Sequence, residues 1–244
     1  MRLSSTFWTR ILGLLAPCGL ALTSHAAECT KDTVSRRFGN VSFDHEAAVR
    51  AAPGYGVEIR NNNEPFKPGL CATVVRALDR IGHATTGNLR YFFVQSLKLD
   101  GSPISGLFHA DDLILVAYYP HDNNGLAEWE RVIYHETSSY VYRQRPELRK
   151  EWEALHDSQM LAGRCAFHTP QWYFGRPDEG NSRAAHYRAC GVLIGYGASN
   201  AENDFNTYAE DYFMDLDGLR RLAQSNGAVA KKLALFFRFY PVGR

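Results

Sequence analysis

Residues 89–144 constrain the fold more than any other stretch, because they set three strand-like runs directly before one long helix. Residues 89–97 are rich in aromatic and β-branched side chains, and residues 104–109 follow the turn signal Gly101-Ser102-Pro103. Residues 112–119 carry the apolar run Leu113-Ile114-Leu115-Val116 and stop at Pro120. Each run has the length and composition of a strand. From about 126 to 144 the period changes. Trp129, Val132, Ile133, Thr137, Tyr140 and Val141 then fall on one broad helical stripe. Asn123-Asn124 offers a cap for that helix and Pro146 a stop. The expectation is a small mixed or antiparallel sheet covered by the helix that follows it.

The flanking segments fill in the rest of an α+β chain. Pro68 opens an expected helix to about 81, with Leu70, Val74, Leu78 and Ile81 at helical spacing. Residues 28–66 read as irregular, punctuated by Pro53-Gly54, Asn61-Asn62-Asn63 and Pro65. Residues 158–197 read as loop-rich. Helical patterning returns over 201–214, 216–225 and 228–240, the last with Leu233, Phe236, Phe237 and Tyr240 on its apolar face. No repeat, low-complexity tract or linker divides residues 27–244, so a single domain is expected.

The N-terminus points to export. Arg2 and Arg10 flank a segment without acids, residues 11–22 are apolar, and Ser24-His25-Ala26 fits a small-x-small cleavage site. Residues 1–26 therefore read as a signal peptide. Its apolar run is shorter than the roughly 20 residues a membrane-spanning helix needs. The chain has 27 basic and 26 acidic residues, and the segment takes two arginines with it, leaving a net charge of about −1. A balance so near neutral argues against a nucleic-acid binder. Of five cysteines, Cys18 departs with the segment, and Cys29, Cys71, Cys165 and Cys190 remain. An even number in an exported chain reads as two disulfides. Sequence proximity favours Cys165–Cys190 and Cys29–Cys71, and the absence of any CxxC pair disfavours a four-cysteine zinc site.

The chemical signal lies inside the long helix, at His135-Glu136-Thr137-Ser138-Ser139. Positions 135 and 139 face the same way on a helix. HExxH uses that spacing to put two imidazoles on one Zn²⁺ with a glutamate beside them as general base. Here position 139 is serine, a poor zinc ligand, so the motif offers one good ligand and a base. A later helix bears Glu202-Asn203-Asp204-Phe205-Asn206-Thr207-Tyr208-Ala209-Glu210, with Glu202 and Glu210 eight residues apart on roughly one face.

With these pieces the chain resembles the gluzincins, zinc metallopeptidases that combine HExxH with a glutamate on a later helix. More closely it resembles secreted proteins with HE-x-S-S on the first helix and E-N-D-F-N-x-x-A-E on the later one. These end in a Lys-rich helix finishing Phe-Tyr. The matching residues here are His135–Ser139, Glu202–Glu210, and Lys231-Lys232 through Phe239-Tyr240, spanning roughly 70–240. The resemblance implies a single zincin-like α+β domain, with an edge strand ahead of the motif helix and a helical C-terminal part. It implies Zn²⁺ held by His135 with Glu202, or with Glu210 as the alternative. Glu136 would be the catalytic base for cleaving a peptide or other amide bond. Two overlays on the gluzincin pattern are open: Glu202 as ligand with Asn206 in the supporting place, or Asn206 in the ligand place with Glu210 supporting. The missing ligand would come from another histidine (His109, His121, His156, His168 or His186), from a water held by Ser139, or from both glutamates. Tyr187, Tyr196 or Tyr208 would stabilise an oxyanion.

Each of these residues also has a plain reading. His135 can be a helix histidine hydrogen-bonded to Glu202 or Glu210 without metal, Glu136 a buried carboxylate paired with an arginine, and Glu202 an acid favoured at a helix N-terminus. The second functional class is thus a catalytically inactive zincin-fold protein of the periplasm or cell envelope, binding a peptide or protein in its groove. Both classes imply an exported monomer with no membrane span once the signal is removed. Nucleotide binding has no support, since neither GxxxxGK[ST] nor GxGxxG occurs. Gly195-Tyr196-Gly197-Ala198-Ser199 has its serine in the wrong place for GxSxG.

Overall fold

The computed structural model describes residues 30–52, 56–61, 66–110, 112–117, 125–165 and 182–240. The expected signal segment, His121, His168 and Cys29 lie outside these residues, and so does the expected Cys29–Cys71 link.

The segment expected to be irregular contains short elements. Helix α1 (Lys31–Phe38) opens on a reciprocal cap between Thr30 and Thr33, and Gly39 closes it in the left-handed region at φ +70°. Strand β1 (Val41–Ser42) leads into α2 (His45–Ala51), where the Asp44 side chain accepts from the Ala47 N–H, and β2 (Val57–Arg60) follows. Each of these helices fully buries one residue, Val34 or Ala48, so neither has an apolar stripe long enough to read from periodicity. Their legible marks were the caps.

Helix α3 (Leu70–Ile81) starts two residues after Pro68, and the single turn α4 (His83–Thr86) extends it. Five strands come next: β3 (Arg90–Val94), β4 (Ser96–Leu99), β5 (Ser102–Pro103), β6 (Gly106–His109) and β7 (Leu113–Ala117). The run expected as one strand over 89–97 breaks at Gln95, and its halves serve different sheets. One sheet has the order β1-β3-β7-β6, with parallel pairs β1–β3 and β3–β7 and an antiparallel β6 at its edge. The other, β2-β4-β5, is antiparallel. β7 sits between β3 and β6 and is buried on both faces, which explains its unbroken apolar sequence.

Helix α5 (Leu126–Arg143) carries the motif. Pro146 does more than stop it: it occupies the first turn of α6 (Pro146–Gly163), where its missing N–H costs nothing. Within the expected loop region, residues 158–163 belong to the end of α6 and are helical. α7 (Ser182–Ala189) and a 3₁₀ turn (Gly195–Ser199) precede α8 (Ala201–Ser225). Asp215, at φ −150° and ψ 66°, interrupts α8 between the two helical patterns of the sequence. Asn226 accepts from the Ala228 and Val229 N–H groups and starts α9 (Gly227–Phe239).

One face of the four-stranded sheet buries Tyr91, Phe93, Ile114 and Val116 against Val74 and Leu78 of α3 and Ile133 and Tyr134 of α5. The helical part has its own aromatic core of Tyr142, Trp152, Phe205, Tyr208, Phe236 and Phe239. α5 borders both cores, so the motif helix is held from two sides. Cys165 and Cys190 form the expected disulfide between the end of α6 and the end of α7, with Cα atoms 6.4 Å apart. Among the described residues, no helix is long and apolar enough to cross a membrane.

Candidate functional site

Helix α5 runs beside the free edge of β6, and α8 packs on the other side of α5. Between them lies a cavity of about 770 Å³. On α5, residues Arg131, His135 and Ser139 follow one another at intervals of four and share the face that lines this cavity, as does Glu136. On α8, residues Glu202, Asn206 and Glu210 do the same. The sequence-derived residues therefore meet in one place. Tyr196, from the 3₁₀ turn, lies with its ring centroid 5.4 Å from that of His135.

Of the two glutamates expected near His135, the one in contact is Glu210. Its Oε1 lies 2.7 Å from His135 Nδ1, and its Oε2 receives Arg131 at 3.4 Å. His135 thus keeps Nε2 as the nitrogen available to the cavity. Glu202 instead pairs with Arg143 at 3.0 Å, in the first turn of α8 where the helix dipole favours an acid. The Arg143 guanidinium also stacks over the Phe108 ring at 4.8 Å and links α8 to the β6 edge.

Glu136 makes the contact that ties the motif to the sheet. Its Oε2 accepts the Phe108 N–H at 2.8 Å, so its partner is a strand amide and not an arginine. Gly106 permits the approach. A Cβ there would meet Val132 Cγ1 at 2.5 Å and Glu136 Oε1 at 2.7 Å, so any side chain would push β6 away from α5. Nothing in the sequence alone singled out Gly106. Arg131 was legible in principle, since it precedes His135 by one helical turn.

Ser139 and Asn206 face each other across the helix pair. Asn206 Nδ2 donates to Ser139 Oγ at 2.9 Å, and both side chains are buried. Asn206 Oδ1, also buried, has no hydrogen-bond partner among the described residues.

The electrostatics of the pocket favour proton uptake. Burial raises the Glu136 carboxyl above its ordinary range, and Glu202 and Glu210 raise it further, against the opposing pull of His135 and the Phe108 amide. For His135, burial acts downward, but the Glu210 hydrogen bond and the charges of Glu136, Glu210 and Glu202 outweigh it and raise the imidazole pKa.

Among the described residues, the donors at this site do not by themselves complete a zinc site. A tetrahedral site needs at least three protein donors converging on one point, and among the described residues no three His, Cys, Asp or Glu side chains do so. Among the described residues, the other candidate histidines are engaged elsewhere or lie outside the cavity. His109 ends β6, His156 is buried against Asp204, and His186 is exposed on α7. Among the candidate tyrosines, Tyr196 lines the cavity, whereas Tyr208 is buried and donates to the Gly191 carbonyl at 2.8 Å, and Tyr187 is buried off the cavity.

Compared with family models, with curated proteins and with solved structures, the chain shows no match. The gluzincin resemblance therefore rests on the motifs alone.

Proposed function

We propose that the chain is an exported, zincin-like binding protein that takes an extended peptide along the free edge of β6 and works without a metal ion. The observation that carries this reading is the Ser139–Asn206 hydrogen bond. In the overlay that gives Glu210 the supporting role beside His135, positions 139 and 206 are the two remaining ligand places. Here a serine and an asparagine hold them and bond to one another. β6 pairs with β7 on one side only; on its other side Glu136 takes the Phe108 N–H and the rest of the edge borders the cavity, which suits strand addition by a peptide. The apolar N-terminal run and the Cys165–Cys190 disulfide support a periplasmic or secreted location.

The hydrolytic reading, zinc-assisted cleavage of a peptide bond with Glu136 as base, draws its support from His135 and Glu136 lining one cavity with both pKa values raised. Two measurements separate the readings. Protein purified without chelator and then dialysed against zinc contains no stoichiometric metal in the binding reading; about one zinc per chain would restore the hydrolytic one. Peptides selected from a random display library on the wild type bind equally well with chelator present and to Glu136→Gln. They lose affinity for Gly106→Ala, whose added methyl shifts the β6 edge at a stability cost of about 1–3 kcal/mol. A library that yields no binder to the wild type sinks the peptide proposal.

A further inference from the structure

On the side of α8 turned away from the cavity, three ionisable side chains meet out of reach of solvent. Asp204 and Lys232 are both 0% exposed and His156 is 4% exposed. Lys232 Nζ lies 2.6 Å from Asp204 Oδ2. His156 Nδ1 lies 3.1 Å from that same oxygen and 3.4 Å from Nζ, so it touches both partners. Around them stand Trp152, whose ring centroid is 5.8 Å from Nζ, and the aromatic core that contains Phe205, Tyr208 and Phe236.

As an ion pair this cluster is poorly satisfied. An ammonium has three donors, and Nζ finds two partners here. Asp204 Oδ1 is buried with no partner among the described residues. Burying two full charges costs several kcal/mol per ion, recovered only when every lone pair and proton is met. A neutral amide between the two side chains would have one N–H, facing His156, and one carbonyl oxygen. It would remove both charges and the unmet ammonium proton, leaving the Oδ1 carbonyl as the remaining acceptor without a partner among the described residues.

We propose that Asp204 and Lys232 become joined by an intramolecular amide bond, formed by the folded protein itself with His156 as the proton carrier. A proton passes from the lysine ammonium to the Asp204 carboxylate, leaving a neutral amine and a neutral acid. Nζ attacks Cγ and the Nζ–Cγ bond forms. His156 takes a proton from Nζ and hands it to Oδ2, the Cγ–Oδ2 bond breaks, and Oδ2 leaves as water with two protons. Oδ1 stays as the amide oxygen. No oxidant or second substrate is needed. The fold supplies the driving proximity, since reactants held in contact behave as if at roughly 10⁵–10⁸ M. The aromatic wall keeps out the water that would reverse the step. Once formed, the bond fastens the start of α8 to α9.

Intact-mass measurement of the purified, reduced and denatured protein tests this directly. The expected mass is lower than that of the processed sequence by one water, and proteolysis yields a branched peptide joining the α8 fragment with Asp204 to the α9 fragment with Lys232. Lys232→Met abolishes the loss, and His156→Phe slows its appearance at least about tenfold, as removal of a general acid–base predicts. A full-mass wild type overturns the proposal. A succinimide at Asp100-Gly101 or Asp217-Gly218 would remove one water too. A loss that persists in Lys232→Met, or that gives no branched peptide, therefore overturns the proposal as well. Should Lys232→Met fail to fold, the wild-type branched peptide alone decides.

Discussion

The protein holds two histidine–carboxylate pairs on opposite sides of α8, and they live under different conditions. His135 meets Glu210 at 2.7 Å on the wall of the cavity, and His156 meets Asp204 at 3.1 Å inside the aromatic core. The first pair is bordered by Arg131, Glu136 and space for a ligand. The second is sealed with Lys232 and can act only on its own neighbours. The same side-chain types thus border a cavity in one place and close off a cluster from solvent in the other. Access, more than identity, sets what such a pair does.

The largest effect is expected from breaking the sealed pair. Lys232→Met removes the partner that Asp204 meets, whether as an ion pair or as an amide, leaves the carboxylate buried with His156 alone beside it, and costs about 3–5 kcal/mol. Denaturant unfolding followed through Trp152 fluorescence measures it. Adding Asp204→Ala recovers part of the loss, since two neighbours that interact do not contribute additively. A cost below about 1 kcal/mol would mean that water reaches the cluster.

Breaking the open pair is expected to cost less and to depend on pH. Because the folded-state pKa of His135 is raised, its contribution is fully present below the unfolded value of about 6.5. It is lost as pH rises through the folded value. Glu136, also raised, acts with the same sign: the folded site prefers its neutral carboxyl, so raising the pH weakens the fold there too. Glu210→Gln removes the chief upward cause, so the His135 titration seen by NMR moves to lower pH. The stability difference from wild type, about 1–3 kcal/mol near pH 6, shrinks toward alkaline pH. A His135 titration unmoved by Glu210→Gln would contradict the role assigned to Glu210.

The smallest effect belongs to the partly exposed pair at the cavity mouth. Glu202→Gln, which loosens the contact with Arg143, changes stability by less than about 1 kcal/mol. If Glu202 were a zinc ligand, the same substitution would lower metal retention, which elemental analysis reads directly.

Much of the scaffold was legible in sequence where apolar periodicity ran long enough. α3, α5, β7 and the two halves of α8 fall close to their expected limits, because each carries several buried residues at regular spacing. α1, α2 and α6 escaped notice for a physical reason. α1 and α2 each fully bury one residue and α6 two, Trp152 and His156, so most of their length faces solvent and leaves little period to detect. Pro146 was read as an ending because a proline stops one helix and starts another with equal ease. The Gln95 break escaped because residues on both sides of it are buried, and burial alone does not say in which sheet.

At the site, the sequence by itself determined which residues share a helix face: Arg131, His135 and Ser139 on one helix, and Glu202, Asn206 and Glu210 on the other. It also determined the cysteine pair most easily closed. Helical spacing is local and needs no partner to be read. Which of these residues touch was decided by tertiary structure alone. The Ser139–Asn206 contact joins residues 67 apart in sequence, and His135–Glu210 joins residues 75 apart. A shift of about two helical turns between α5 and α8 would have brought Glu202 to His135 in place of Glu210. Packing of the aromatic core against α8 sets that register, and with it which glutamate His135 meets and that Ser139 meets Asn206. The same packing closed Asp204, His156 and Lys232 away from water, which no spacing in the chain could announce.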